Sequence, residues 1–149
     1  MDTKIQKEFT DTGFGFPVRL MNVPMMKVRG EWTPKIDYNE LARLLAHALS
    51  HKPARLTGNE IRFVRNHFEM TLKEFAGRFC VTHVAVIKWE KSGNEATAMN
   101  WPTEKDIRLF ILSKLGGASK EIAELYGELE ALPSRRQAPI HLDAKKVAA

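Results

Sequence analysis

The side chains between Thr82 and Lys88 have the clearest capacity for specific chemistry, because hydrogen-bonding and methyl-bearing groups stand close together there. On a helix that faces DNA, Val84 would contact a thymine methyl group and Lys88 would donate to guanine O6 or N7. A histidine can donate, accept, or meet a phosphate. In the alternative interpretation the aliphatic groups pack against a neighbouring helix or a partner, and the histidine is a surface residue without a role. The predicted base-contacting residues are Thr82, His83, Val84, Ile87 and Lys88.

The spacing of apolar residues from Leu72 to Lys91 predicts the element that would present these groups. Counted from Leu72, apolar residues occupy the fourth, eighth, tenth, fifteenth and eighteenth positions, and the small Ala76 is fifth. One amphipathic helix is not expected to give this spacing, whereas two short helices that cross closely at the alanine are. The stretch therefore predicts a helix-turn-helix, whose second helix typically enters the major groove of DNA. The apolar set is Phe75, Phe79, Val81, Val86 and Trp89.

Capping residues indicate where these helices begin. Thr71 followed by Glu74 forms a capping box, in which each residue satisfies a backbone N–H of the other. Thr82 is placed to cap the second helix of the pair. The same signature, Thr57 with Glu60, opens a helix upstream. The three starts predict consecutive short helices around the crossing point.

These features resemble the Cro-type phage repressors, the XRE family of helix-turn-helix proteins. The resemblance covers 61–68, 72–79, the turn and cap at Val81 and Thr82, and the closing 89–91 with Gly93 nearby. Cys80 stands where many members have Gly, and a positive φ there would strain it. In the family an Arg of the preceding helix pairs with the closing Glu. The resemblance therefore implies a partly buried structural ion pair between Arg65 and Glu90, the alternative being two independently solvated charges.

Phosphate contacts are predicted around the second helix, because such contacts fix the register of a protein on DNA. The start of the first helix offers free backbone N–H groups, and its dipole favours an anion. The region after the reading helix commonly lies along the DNA backbone. Each lysine here could equally be a solvated surface charge. The predicted phosphate-contacting residues are Thr71, Lys73, Arg78, Lys91 and Asn94.

Composition is compatible with a protein that binds an anionic partner. The 149-residue chain carries a net charge of +5, and of four segments along it only 94–132 has more acidic than basic residues. No apolar run approaches the roughly 18 residues of a membrane span, so no membrane association is predicted. The polar N-terminus is not typical of a secretory signal, and the single cysteine excludes an internal disulfide. These features predict a cytoplasmic protein.

Catalytic chemistry is not predicted. The sequence has no Gly-rich phosphate loop, no paired carboxylates at a suitable spacing and no nucleophile beside a base. His47 and His51 lie one helical turn apart and could bind a metal, but no third ligand is evident, and a solvated helix face is the favoured interpretation. No enzymatic activity, metal or cofactor is therefore expected.

The predicted fold class is mainly α: a five-helix XRE-like helix-turn-helix domain with a small N-terminal β-hairpin and helix module. Residues 1–15 are expected to be flexible, and 16–54 to form a strand pair with a connecting helix. Residues 55–132 are the predicted DNA-binding domain, and 133–149 a disordered tail. Within the strand pair, the turn is expected at 22–24 and a linker at 30–34, where Pro and Gly occur.

The overall plan resembles the antitoxin regulators of the MqsA type. The N-terminal module lacks the cysteine pairs that hold zinc in that family, so no zinc role transfers. The predicted function is a sequence-specific DNA-binding transcriptional regulator, a dimeric autorepressor that places 82–91 in the major groove of double-stranded DNA. A homodimer is expected because a lone helix-turn-helix reads only a few base pairs. The alternative is an antitoxin whose main role is to bind and neutralise a partner toxin protein.

Overall fold

A computed structural model describes residues 2–116, 119–129 and 136–149. These residues fall into two compact units, Met1–Leu45 with Pro139–Ala149, and Ala46–Ala138. The first unit is built on a four-stranded mixed sheet, and the described part of the chain contains six α-helices. The expectation of a mainly α fold with a small hairpin is therefore wrong, because the N-terminal half is rich in strand.

The first strand, β1 (Thr3–Asp11), lies in the segment expected to be flexible, so that expectation is wrong. It pairs antiparallel with β2 (Val18–Val28) from Thr3 opposite Met26 to Asp11 opposite Val18. Most side chains of β1 are exposed. A strand that buries so little lacks the alternating apolar pattern from which strands are predicted, and it is ordered by backbone pairing with its neighbour.

The turn expected at 22–24 lies inside the continuous strand β2. Val18 and Leu20 are buried, and then Val23 and Met25, so the alternation changes phase at Asn22, whose φ is 55°. Two further strands pair with β2. Strand β4 (Ile140–Asp143) pairs in parallel with the first half of β2, and β3 (Glu31–Pro34) pairs with the second half of β2. Pro24 is tolerated because it lies between these two partners, where a ladder N–H is not required.

Two further segments expected to be irregular are strands. Residues 30–34, expected as a linker, contain β3, which returns along β2 after Arg29 and Gly30 with φ of 52° and 83°. Two successive positive φ values suit a tight hairpin turn. The expected disordered tail contains β4 and a 3₁₀ turn (Ala144–Val147), with Leu142 and Ala144 buried. Residues 133–135 of that tail lie outside the described part.

The expected connecting helix is α1 (Tyr38–Ser50), and the Asp37 carboxylate accepts from the N–H groups of Asn39 and Glu40. Three leucines of this helix, Leu41, Leu45 and Leu49, are fully buried. No helix in the described ranges is long and apolar enough to cross a lipid bilayer.

The second unit contains α2 (Gly58–His67), α3 (Leu72–Arg78), α4 (His83–Glu90), α5 (Trp101–Lys114) and α6 (Ser119–Leu129). Helix α5 begins at Trp101 because the Asn100 side chain caps it and Pro102 suits a first turn. In this unit Leu112 packs with Leu125 and Leu129 in an α5–α6 cluster. Residues 130–132, the expected end of the DNA-binding domain, lie outside the described part.

A buried ionic network joins α5 to the segment before α2. Glu104 and Arg108 are fully buried, and their side chains form hydrogen bonds of 2.7 and 3.1 Å. Arg108 also donates to the backbone carbonyls of Ser50, Lys52 and Ala54. Burial lowers the pKa of Arg108, and the charge of Glu104 opposes that shift. Because each charged group has hydrogen-bond partners, the network fixes the chain that leads into α2.

Candidate nucleic-acid interface

Both helices of the candidate interface begin as the sequence predicts. The Thr71 hydroxyl accepts from the backbone N–H of Glu74 at 3.1 Å, and the Glu74 carboxylate accepts from Thr71 N–H at 3.1 Å. The Thr82 hydroxyl accepts from Ala85 N–H at 3.1 Å and caps α4. The upstream box of Thr57 and Glu60 is also closed. The caps are confirmed because each depends only on residues within one turn.

The turn between α3 and α4 places Cys80 in the left-handed region, with φ of 56°. Val81 N–H donates to the carbonyl of Ala76 at 3.0 Å and closes the turn. Cys80 therefore has the positive φ that strains a residue with a side chain, a conformation that glycine would adopt without strain, and its side chain is exposed.

The buried faces of α3 and α4 contain most of the predicted apolar set. Phe75 and Val86 are fully buried, Trp89 is nearly so, and the ring centroids of Phe75 and Phe79 lie 4.8 Å apart. Ala76 is 3% exposed, which agrees with its predicted place at a close crossing. The exception is the half-buried turn residue Val81. The shared core holds the two short helices together, since neither would be stable alone.

The opposite face of α4 points outward. Val84 is 60% exposed, the highest value among the exposed large hydrophobic residues of the described chain. Val84 therefore does not pack against a neighbouring helix in the part of the chain that the structure describes, although Ile87 is half-buried. The other predicted base-contacting residues, Thr82, His83 and Lys88, are exposed. The result is a short exposed surface with an aliphatic group in the middle and a cation at its end.

The predicted phosphate-contacting residues differ in exposure and in the ion pairs and hydrogen bonds that they form within the chain. Lys73 and Lys91 are exposed. Arg78 forms an exposed ion pair with Asp106 at 3.2 Å and lies over the rings of Phe79 and Phe110. Only the two lysines therefore combine exposure with a charge not engaged in an ion pair among the described contacts.

Two polar residues that were predicted to contact phosphate also form hydrogen bonds within the chain. The Asn94 side-chain oxygen accepts from the amide of Asn59 at 2.9 Å. The backbone N–H of Thr71, expected to be free, donates to Glu74 instead, so that expectation is wrong. This hydrogen bond from the backbone N–H of Thr71 lowers the pKa of Glu74. The Glu74 carboxylate, rather than a phosphate, is therefore the anion bound at the Thr71 N–H.

The predicted ion pair of Arg65 and Glu90 is present. Arg65 Nε and Nη2 donate to the two carboxylate oxygens of Glu90 at 2.7 and 3.0 Å, a bidentate arrangement. The hydrogen bond to Glu90 raises the pKa of the Arg65 guanidinium. Arg62 also donates to Glu90, at 3.1 Å, which the sequence did not indicate. Since Glu90 is the last residue of α4, the pair ties the end of α4 to α2.

Gly58 is a second contributor that sequence reasoning missed. It begins α2 where the chain passes closely under the end of α4, and Asn59 N–H donates to the carbonyl of Gly93 at 2.9 Å. A Cβ at Gly58 would collide with the carbonyl oxygen of Trp89 and lie 2.9 Å from both Glu90 O and Gly93 N. A glycine is needed here because the neighbouring atoms are backbone and cannot rotate away.

We expect Gly58→Ala to lower the free energy of unfolding by about 1–3 kcal/mol, the usual cost of overpacking. Gly77→Ala in α3 is the matched control, because a Cβ there meets nothing within 4 Å. The free energy of unfolding of Gly77→Ala should rise by about 0.5–1 kcal/mol, because alanine has a higher helix propensity than glycine. Urea denaturation followed by circular dichroism measures both changes. Equal stability of the two variants would contradict the close approach of α2 and α4.

No family model, curated protein or solved structure matches the chain.

Proposed function

We propose that this protein is a sequence-specific DNA-binding transcriptional regulator that inserts α4 into the major groove. The observation that carries the proposal is the two-sided character of α4. Val86 and Trp89 are buried, while Val84 is 60% exposed beside the exposed Thr82, His83 and Lys88. An exposed aliphatic side chain flanked by hydrogen-bonding groups fits the thymine methyl groups and base edges of the major groove.

Each exposed residue has a distinct role in this proposal. Val84 contacts a thymine methyl group, and Lys88 donates to guanine O6 or N7 one turn further along. Thr82 and His83 supply hydrogen bonds at the start of the helix, where residues of a reading helix first reach the bases. Ile87 is half-buried, so its contribution is limited to the edge of the contact.

Phosphate binding is assigned mainly to Lys73 and Lys91. Both are exposed, one at the start of α3 and the other directly after α4. Arg78 contributes only if DNA displaces Asp106, and Thr71 contributes through its side chain rather than its capped N–H. Asn94 is a phosphate ligand through its amide group, and its partner Asn59 holds it in place. The net charge of +5 favours the encounter with DNA.

Specific recognition by such a short helix requires two copies of the chain. One reading helix contacts only a few base pairs, so we propose a homodimer that binds two half-sites about 34 Å apart in a palindromic operator. Binding upstream of its own gene would make the protein an autorepressor, and the proposed location is the cytoplasm.

Selection of bound sites from random double-stranded DNA tests the proposal. We expect a palindromic preference that Val84→Ala and Lys88→Ala each relax at a defined base pair, with a loss of about 1–3 kcal/mol in affinity for Lys88→Ala. Lys120→Ala on α6 removes the same charge and should leave the selected sequence unchanged. Affinity should fall steeply with salt. Equal binding of scrambled DNA, or unchanged preference in both α4 variants, would refute the function.

A further inference from the structure

Three potential metal ligands meet in the second unit, away from α4. His47 lies in the last turns of α1 and His51 directly follows that helix, so the two rings lie one turn apart, with centroids separated by 5.2 Å and planes tilted by 38°. Glu121, in the first turn of α6, reaches both. Its Oε1 lies 2.5 Å from His47 Nε2 and 3.6 Å from His51 Nε2. The third ligand that the sequence did not reveal is therefore present, 70 residues or more further along the chain.

The hydrogen bonding of His51 is unusual for an ordinary salt bridge. Its Nδ1 lies 3.3 Å from Glu128 Oε2, which favours a proton on Nδ1. Its Nε2 is buried and has no hydrogen-bond partner among the described residues. In that tautomer the Nε2 lone pair faces a carboxylate oxygen of Glu121. Two electron-rich atoms held 3.6 Å apart repel each other unless a proton or a metal ion lies between them.

We propose that His47, His51 and Glu121 bind one zinc ion through the two imidazole Nε2 atoms and the carboxylate. Two histidines and one glutamate are an established zinc ligand set that leaves one position open. Glu124, which lines the same surface depression, or a water molecule would occupy the fourth position.

The two distances from the histidines to Glu121 suit this ion with small adjustments. Zinc–nitrogen bonds of about 2.0–2.1 Å place tetrahedral ligand atoms about 3.3 Å apart. The separation of His51 and Glu121 is close to this value, and that of His47 and Glu121 would lengthen by roughly 1 Å as the ion replaces a proton. The three side chains are 30–42% exposed, so an ion can enter from solvent and the rotamers can adjust. The bound ion would link the end of α1 to the start of α6.

Glu128 has a separate, positioning role. A histidine that binds zinc usually donates its other ring N–H to a carboxylate, which fixes the tautomer and raises the basicity of the ligand. The Glu128 carboxylate lies where this partner is needed, at His51 Nδ1. An incidental cluster of charges would not require a carboxylate on that side of the ring.

Zinc titration of the full chain, by calorimetry and by competition with a chromophoric chelator, tests the site. We expect one zinc ion per chain, and a rise in Tm that chelation reverses. Co²⁺ should bind with the intense visible absorption of tetrahedral coordination. Failure of the wild-type chain to bind stoichiometric zinc would overturn the proposal.

The variants separate this site from adventitious binding. His51→Ala and Glu121→Gln should abolish stoichiometric binding, and Glu128→Gln should raise Kd by about 10- to 100-fold. His141→Ala, which removes an exposed histidine of β4, should bind as the wild type does. Circular dichroism in excess chelator checks that every variant is folded. Binding that survives Glu121→Gln would show a different site and overturn the assignment. None of these outcomes depends on DNA binding.

Discussion

Replacing Glu104 with alanine is expected to lower the free energy of unfolding by about 3–5 kcal/mol. The substitution leaves Arg108 as a fully buried cation that retains only backbone carbonyl acceptors. It also removes the carboxylate oxygen that accepts from Arg55 Nε at 2.8 Å and from Leu56 N–H at 3.3 Å. Arginine does not lose its proton at neutral pH, so the buried positive charge of Arg108 remains in the variant. Since many domains have a total stability of about 5–15 kcal/mol, the loss would be a large share.

Urea denaturation followed by circular dichroism measures this change, and Asp106→Ala provides the matched control. Asp106 lies on the same helix and pairs with Arg78, but both side chains are more than 40% exposed. Removing an exposed partner should change stability by no more than about 1 kcal/mol. If the two variants lose equal stability, or if Glu104→Ala loses less than about 1 kcal/mol, the buried network does not fix the segment before α2.

Local signals allowed the starts of the interface helices to be predicted. The boxes at Thr57 and Thr71 and the cap at Thr82 each depend on residues three positions apart, so the sequence contains the whole interaction. The division of α4 into buried and exposed faces also followed from local spacing. The ion pair of Arg65 and Glu90 was reached through resemblance rather than spacing, because its partners are 25 residues apart.

The missed features all depend on distant parts of the chain. Strand β1 is mostly exposed and gains its order from β2, while β4 pairs with a strand more than 100 residues earlier. The positive φ at Asn22 breaks the alternation of β2 and made one strand resemble two. The approach of Glu121 to the histidines likewise needs two helices to be packed first. Neither composition nor periodicity contains such pairings.

We expect Glu90→Ala to lower the free energy of unfolding by about 3–5 kcal/mol, with a value near the lower end of this range. Glu90 is 5% exposed and accepts both hydrogen bonds of the Arg65 fork, so its removal leaves an uncompensated guanidinium. The cost is moderated because Arg65 is 15% exposed and keeps the carbonyl of Met70 as an acceptor. Urea denaturation measures the loss.

Arg62→Ala is the control for this variant, because it removes a second donor to the same carboxylate. The Arg62 side chain is 52% exposed, so its loss should cost no more than about 1 kcal/mol. Equal losses for Glu90→Ala and Arg62→Ala would mean that the bidentate pair does not tie α4 to α2.

Stability and DNA-site selection, measured together, separate a residue that positions α4 from a residue that contacts DNA. Glu90→Ala should weaken DNA binding while the selected base sequence stays the same, because the residue lies on the buried side of α4 and only holds the helix in place. Lys88→Ala should do the reverse, changing the preferred base at one position with stability altered by less than about 0.5 kcal/mol, as for exposed substitutions generally. If Glu90→Ala changed the preferred bases and Lys88→Ala did not, the reading face would have to be assigned to another surface. α4 would then be an element of the core alone.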